Sequence, residues 1–481
     1  WPMVLKWCRF LPDKPLTGNW LNLFMSELFS DYNLRPELIS AIARAGYTAP
    51  RPVQQASMPA ILAGRDVLAQ AQTGSGKTLA FAVGCLQQLN FNKNAMQAIV
   101  LCPTRELAEQ VAEQCRVLAK DMPNAKVLTL CGGQPMGPQI NSLRHGCHII
   151  VGTPGRVMDH VQKKRITLKH LKVRVFDEAD RMLDMGFTDD LGVIFAGLRG
   201  PVQTLFFSAT FTEATTALAQ AYLTDPESIK VDSEQRANVS ELVYTVEEGQ
   251  RFNALKALLT TEQPNSAMVF CRTKRTTQEV ADMLAQEGFV VAAIQGDMEQ
   301  VDRNRVLMRF ASDCLNVLVA TDVAARGLDI AGVDCVVNYE VSENPDAHIH
   351  RIGRAGRAQQ PGMAFTLMGE SEGAALAAIE IHTRQDLKKK GAQSLRFHAN
   401  RIIEPEFVCL NLNEGKKAKL RPGDILGALT KDADVPGEDI GKIKVQANES
   451  FVAVKRRSVK RALKLFREGK IKGKRVRAFK L

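Results

Sequence analysis

Residues 71–78 read Ala-Gln-Thr-Gly-Ser-Gly-Lys-Thr and stand between an apolar strand pattern at 66–69 and an apolar helical run beginning at Leu79. A strand, a glycine-rich loop and a helix in that order form a phosphate cradle. Glycine lets successive backbone N–H groups curl around phosphate oxygens, and the helix N-terminus adds positive potential. The reading assigns Thr73, Gly74, Ser75 and Gly76 to the cradle. Lys77 goes to the β- and γ-phosphates of a nucleotide, and the Thr78 hydroxyl goes to Mg²⁺. Ala71 stands where the strict pattern has glycine.

A second landmark lies about a hundred residues on. Val173-Arg174-Val175-Phe176 is followed by Asp177, Glu178 and Asp180. A buried parallel strand whose C-terminal edge delivers carboxylates to a site reads this way. Taken alone, the stretch also fits a strand followed by the acidic first turn of a helix. Beside the glycine-rich loop it gains a mechanism. Asp177 would hold Mg²⁺ through water opposite Thr78, and Glu178 would orient or deprotonate the attacking water.

The same rhythm runs along most of the chain. Strands are predicted at 66–69, 98–102, 126–131, 148–152, 173–176 and 204–208, each followed by a helical stretch. Residues 224–245 are polar and weakly periodic. Further strands are predicted at 267–271, 290–294, 316–320, 335–339 and 364–368. Strand–helix alternation implies parallel, doubly wound sheets, here in two domains, 26–235 and 240–384. Residues 385–404 are basic and irregular, as a linker would be. Strands at 406–412, 441–445, 450–455 and 475–480, with helices at 422–430 and 458–468, then give a small α+β domain at 405–481.

Charge separates these parts. The chain of 481 residues carries a formal net charge of +11, and residues 405–481 alone hold 20 Lys and Arg against 9 Asp and Glu. A basic surplus of this size points to a polyanion. No run of about 18 apolar residues occurs, so no membrane span is expected. The 10 cysteines include no Cys-x-x-Cys pair, which argues against a zinc ribbon or a disulfide framework and for reduced thiols in the cytoplasm. Residues 1–25 lack the pattern of a signal or transit peptide and form an unassigned extension, with a fragment or a processed chain as open readings.

With these residues in hand, the chain resembles a DEAD-box RNA helicase, a superfamily 2 ATPase, over about 29–370. The stretch from Gly46 to Gln54 is similar to the family's Q motif. The resemblance implies that Gln54 bonds the adenine edge, that Phe29 packs on adenine, and that the nucleotide is ATP. Pro103-Thr104-Arg105, Gly132-Gly133 and Thr153-Pro154-Gly155-Arg156 resemble RNA-backbone contacts. The residues implied are Pro103, Thr104, Arg105, Gly133, Thr153 and Arg156. Ser208-Ala209-Thr210 resembles the motif that couples hydrolysis to strand separation, with the Ser208 and Thr210 hydroxyls able to bond the acidic motif.

In the second domain Arg272, Gly296 and Thr321 are the implied RNA contacts, and Asp329 would face the nucleotide. His350-Arg351-Ile352-Gly353-Arg354-Ala355-Gly356-Arg357 resembles motif VI, with Arg354 and Arg357 as arginine fingers. Ala355 replaces a more usual threonine, and His348 stands where an aromatic is common. The implied fold is two RecA-like parallel α/β domains followed by a small domain similar to an RNA-recognition module. ATP and Mg²⁺ are the expected cofactors and RNA the expected partner. A monomer is expected, with no DNA and no membrane.

The last domain shows a β-α-β-β-α-β pattern but departs from the usual aromatic signature, since only Phe407 and Phe451 fall on its central strands. At least one of them is expected in the core. Lys455, Arg456, Lys470, Lys472 and Lys474 are the better candidates for RNA phosphates. Stretches such as 421–429 and 469–474 resemble the specific RNA-binding domain of the bacterial DEAD-box protein A subfamily. That resemblance implies hairpin 92 of 23S rRNA as ligand and pre-50S particles as the setting. Related domains also occur in cold-shock DEAD-box helicases with other targets. Intact Lys77, Glu178, Arg354 and Arg357 favour an enzyme over a non-catalytic RNA clamp or annealing chaperone.

Overall fold

The glycine-rich loop leaves the end of a strand that lies inside a sheet, where both faces are covered and apolar side chains can point either way. In the computed structural model, residues 28–71, 74–231, 239–325, 332–356 and 362–481 are described. The chain divides into two compact units, Trp1–Ser233 and Glu234–Leu481.

The first unit holds β1 (Val67–Gln70), β2 (Ala98–Leu101), β3 (Val127–Leu130), β4 (Ile149–Gly152), β5 (Val173–Asp177), β6 (Gln203–Ser208) and β7 (Glu227–Lys230). They form one sheet in the order β3-β4-β2-β5-β6-β1-β7, all parallel. Successive residues face opposite sides. Phe207 packs with Phe81 and Leu86 on one face, while Phe206 packs with Phe176 and Leu191 on the other. Gln70 is in register with Ser208 and Asp177 with Phe207. The C-terminal ends of β1, β6 and β5 therefore lie side by side, which puts the phosphate loop next to the acidic residues.

Gly84 sits inside the helix Lys77–Gln88, where glycine costs stability. A Cβ there would come within 2.2 Å of Ile61 Cγ2. The glycine lets the helix Pro52–Leu62 lie close, and that helix carries Gln54.

The second unit repeats the layout with β8 (Val239–Thr245), β9 (Ala267–Cys271), β10 (Val291–Ile294), β11 (Val317–Thr321), β12 (Cys335–Asn338), β13 (Gly362–Met368) and β14 (Lys388–Gly391). The order is β10-β11-β9-β12-β13-β8-β14, again parallel. An antiparallel sheet follows, made of β15 (Phe407–Leu412), β16 (Ile440–Val445), β17 (Ser450–Lys455) and β18 (Ala478–Lys480) in the order β16-β17-β15-β18.

Three stretches differ from their sequence reading. The polar region 224–245 contains β7 and β8. Residues 388–391, expected to be irregular linker, form the edge strand β14 against β8. Their Lys-Lys-Lys-Gly sequence is exposed at every position and gives no apolar signal, while lysines on an edge discourage pairing with other chains. The helix expected over 422–430 ends at Gly427 and continues as a π turn over Ala428–Asp432. Among the described residues no helix is long and apolar enough to cross a membrane.

Candidate functional site

Lys77 opens its helix and points its ammonium back to β5, where Nζ lies 3.1 Å from Asp177 Oδ1. The two side chains are 4% and 0% exposed. Burial works against the Lys77 charge, but Asp177, Glu178 and Asp180 outweigh it and raise the ammonium above its usual pKa. Burial also raises the Asp177 carboxyl, opposed by Lys77. Asp177 Oδ2 and the Ser75 hydroxyl have no hydrogen-bond partner among the described residues. A buried carboxylate oxygen left without a donor fits a Mg²⁺ ion held through water, with Thr78 the second residue of the helix that Lys77 opens.

Glu178 follows with φ 55° and ψ 54°, the left-handed region. That conformation costs a non-glycine residue about 1–3 kcal/mol and gathers at functional sites. It turns the chain between β5 and the helix Ala179–Asp184, and Arg181 Nε stands 3.4 Å from Glu178 Oε2.

Asp180 has a role that sequence reasoning missed. Its Oδ2 accepts from Ala209 N at 3.1 Å, Thr210 N at 2.9 Å and Thr210 Oγ1 at 3.0 Å. The Thr210 hydroxyl thus reaches the acidic motif, as expected. The Ser208 hydroxyl does not: it donates to the Thr210 carbonyl at 2.7 Å. Strand pairing aims Ser208 inward, where it is fully buried.

Gln54 accepts from Arg51 N and donates to the Gly76 carbonyl, both at 2.8 Å. It ties the helix Pro52–Leu62 to the phosphate loop. Phe29 is 4% exposed and packs within the main core of this unit, with Tyr32 and Leu34 in the same cluster. Thr73, Asp329 and Arg357 lie outside the described residues.

The remaining first-unit candidates are mostly backbone organisers. Thr104 caps the helix Arg105–Leu118 by accepting from Leu107 N. The Arg105 guanidinium lies over Gly133, whose φ is +70° and where a Cβ would meet it at 1.8 Å. Arg156 donates to the Gln134 carbonyl and to Gln139 Oε1, each at 3.0 Å. Pro103 and Thr153 are buried.

In the second unit Arg354 is 4% exposed. Three residues before it, Arg351 forms a fork with Asp322 at 2.6 and 2.7 Å and stacks over Phe270. His348 Nε2 contacts Glu241 Oε1 at 2.5 Å, which explains a histidine at that position: the partner on β8 is a carboxylate. Thr321 accepts from Ala324 N, Gly296 is exposed, and Arg272 is tied to Glu372 and Glu343.

In the small domain Phe451 is 1% exposed and Phe407 half-buried. Lys455 pairs with Glu406, Arg456 with Glu404 and Lys472 with Asp424. Such exposed pairs are weak and yield to phosphate. Arg457 is engaged differently, clamping Asp439. Lys472 and Gly473 both have positive φ in a two-residue turn that projects Lys470, Lys472 and Lys474 into solvent. Phe479, 55% exposed, is the open aromatic, and the sequence reading passed it over.

Three family models match: DEAD/DEAH box helicase over 51–218, Helicase conserved C-terminal domain over 250–359 and DbpA RNA binding domain over 409–479. The chain is 46% identical over 456 residues to ATP-dependent RNA helicase DbpA of Escherichia coli, covering 94% of this chain and 99% of that one. It is 42% identical to DEAD-box ATP-dependent RNA helicase CshA of Bacillus subtilis, covering 76% and 74%. Among solved structures, S. cerevisiae Dbp5 bound to RNA and ADP BeF3 matches with TM-score 0.70 at 30% identity, covering 76% of this chain and 96% of that one. A phosphate loop paired with an acidic strand end, a second parallel-sheet domain carrying Arg354 just after the helix Pro345–Ile352 and an appended basic domain thus have one source. The chain belongs to the DEAD-box ATP-dependent RNA helicases, of the DbpA type.

Proposed function

We propose that this helicase couples RNA-stimulated ATP hydrolysis to local, non-processive unwinding of short duplexes in 23S rRNA, next to hairpin 92, during large-subunit assembly. It works in the cytoplasm as a monomer on pre-50S particles. The observation that carries this reading is the basic domain 405–481, whose turn at 470–474 holds three lysines ready for phosphates.

The chemistry follows from the residues. Lys77 leaves Asp177 for the β- and γ-phosphates, and the loop from Thr73 to Gly76 wraps them. Asp177 and Thr78 would hold Mg²⁺, which would supply charge neutralisation at the phosphate oxygens. Glu178 orients and deprotonates the attacking water. Gln54 and Phe29 select adenine, and Asp329 faces the nucleotide. Arg354 and Arg357 stabilise charge on the transferring γ-phosphate.

RNA is held by Pro103, Thr104, Arg105, Gly133, Thr153 and Arg156 in the first unit and by Arg272, Gly296 and Thr321 in the second. Lys455, Arg456, Lys470, Lys472 and Lys474 anchor the target. Ser208 and Thr210 couple the two events. ATP and RNA then bind cooperatively and reciprocally.

Strand displacement tests the reading. A short duplex placed beside hairpin 92 should separate only with ATP, and far faster than the same duplex without the hairpin. Equal rates on both would defeat the ribosomal assignment.

A further inference from the structure

The open face of the small sheet is divided. Lys444, Phe451, Asn411 and Phe479 are in register across its four strands, so their side chains share one face. The other face packs Leu410, Leu412, Val452 and Val454 into the domain's core. On the shared face, Phe451, Cys409 and Ala453 are covered by Met308 and Cys314, at and just after the end of the helix Gln300–Ala311. Arg305 on that helix pairs with Glu449 at 3.3 Å at the rim. Half of the usual base-stacking surface is therefore closed off by the second helicase domain.

The other half is open. A cavity of about 630 Å³ lies between the sheet and the helix Gln300–Ala311, lined by Arg305, Asn411, Asn413, Gln446, Asn448 and Phe479 among others. Its volume falls within the range of small-ligand pockets. Its chemistry is one exposed aromatic ring, four side-chain amides, a guanidinium and the Glu449 carboxylate, whose charge Arg305 and Asn411 engage. Asn411 donates through Nδ2 to Glu449 at 2.8 Å, leaving Oδ1 to accept. Asn413 Oδ1 accepts from Arg477 N at 2.8 Å, leaving Nδ2 to donate. Aromatic faces stack nucleobases, and Asn and Gln amides read their edges. Exposed Lys480 on the strand that carries Phe479, and exposed Arg475 and Arg477 just before it, suit the attached phosphates.

We propose that this cavity receives one unpaired RNA nucleobase, stacked on Phe479, with its edge read by the amides and Arg305 at its mouth. The site is composite, since the second helicase domain supplies Arg305 and the small domain supplies the ring. The proposal rests on the reading that the small domain holds RNA.

The test uses the full chain and two RNA probes, a 23S rRNA fragment carrying hairpin 92 and a single-stranded oligoadenylate. Phe479→Ala should weaken binding to at least one of them by roughly 5- to 100-fold, the range for loss of one base stack. The slope of affinity against salt should stay unchanged, because no phosphate contact is lost. Phe479→Trp should restore binding, and Asn413→Ala should weaken it with the ring intact. Phe479 is half exposed, so these variants keep the core. Unchanged affinity of Phe479→Ala for both probes overturns the pocket, whichever RNA the wild type prefers. Equal wild-type affinity for both probes overturns the hairpin reading alone.

Discussion

Lys77 Nζ lies 3.1 Å from Asp177 Oδ1, so the phosphate-loop cation and the acidic strand end neutralise one another. Neither charge reaches solvent. On the proposed function, a triphosphate would have to replace this contact, its oxygens pairing with Lys77 while Asp177 would be free to hold Mg²⁺. Removing one partner leaves the other buried and unpaired, which costs about 3–5 kcal/mol. Lys77→Ala is expected to abolish nucleotide binding and to lower the melting temperature of the first unit. Lys77→Met with Asp177→Asn should recover much of the stability and none of the ATPase activity. A single variant as stable as wild type would argue against the pairing.

Glu178 is expected to act on water and not on binding. Glu178→Gln keeps the shape and loses the base. ATP affinity should hold within about threefold while kcat falls by about 100- to 10,000-fold, the range for loss of general base catalysis. Fluorescent-nucleotide binding and steady-state ATPase read the two separately. Normal turnover by this variant would assign the water to another group.

Asp180 links β5 to the turn after β6 through three hydrogen bonds. Thr210→Ala removes one of them and leaves the phosphate site intact. RNA-stimulated ATPase should persist while duplex separation drops several-fold. Thr210→Ser should restore separation, since the hydroxyl returns. Parallel loss of both activities would place Thr210 in the hydrolytic site.

Arg457, with Ser458, holds the Asp439 carboxyl at about 2, below its ordinary value. A depressed folded-state pKa contributes stability that is complete above the unfolded value near 3.9 and is lost as pH falls toward the folded one. Asp439→Asn should lower the melting temperature at neutral pH. The gap to wild type should narrow between about pH 5 and pH 3. Calorimetry across that window checks it, and a gap independent of pH would refute the assignment.

The parts legible in sequence are those whose signal is contiguous. The phosphate loop, the strand ending in Asp177 and Glu178, and the motif around Arg354 each carry their chemistry within a dozen residues. The α/β alternation is equally local. What escaped reading depends on distant partners. Asp180 meets Thr210 only because β5 and β6 are neighbours. His348 finds Glu241 across 107 residues, and Arg351 finds Asp322 across 29. Strand β14 is all lysine and glycine and owes its form to β8. Phe479 falls in the predicted strand 475–480, but only the register across β15 places it in one row with Phe451.

The central claim is that residues 405–481 choose where a general ATPase acts. The most direct measurement is the RNA concentration that half-stimulates ATP hydrolysis. It compares a hairpin 92 fragment with a flanking duplex, the same fragment with a mutated loop, and poly-A. The account predicts half-stimulation at far lower concentration for the intact hairpin, and loss of that advantage when Lys470, Lys472 and Lys474 are changed to alanine. Equal stimulation by all three RNAs would contradict it while leaving the helicase chemistry in place.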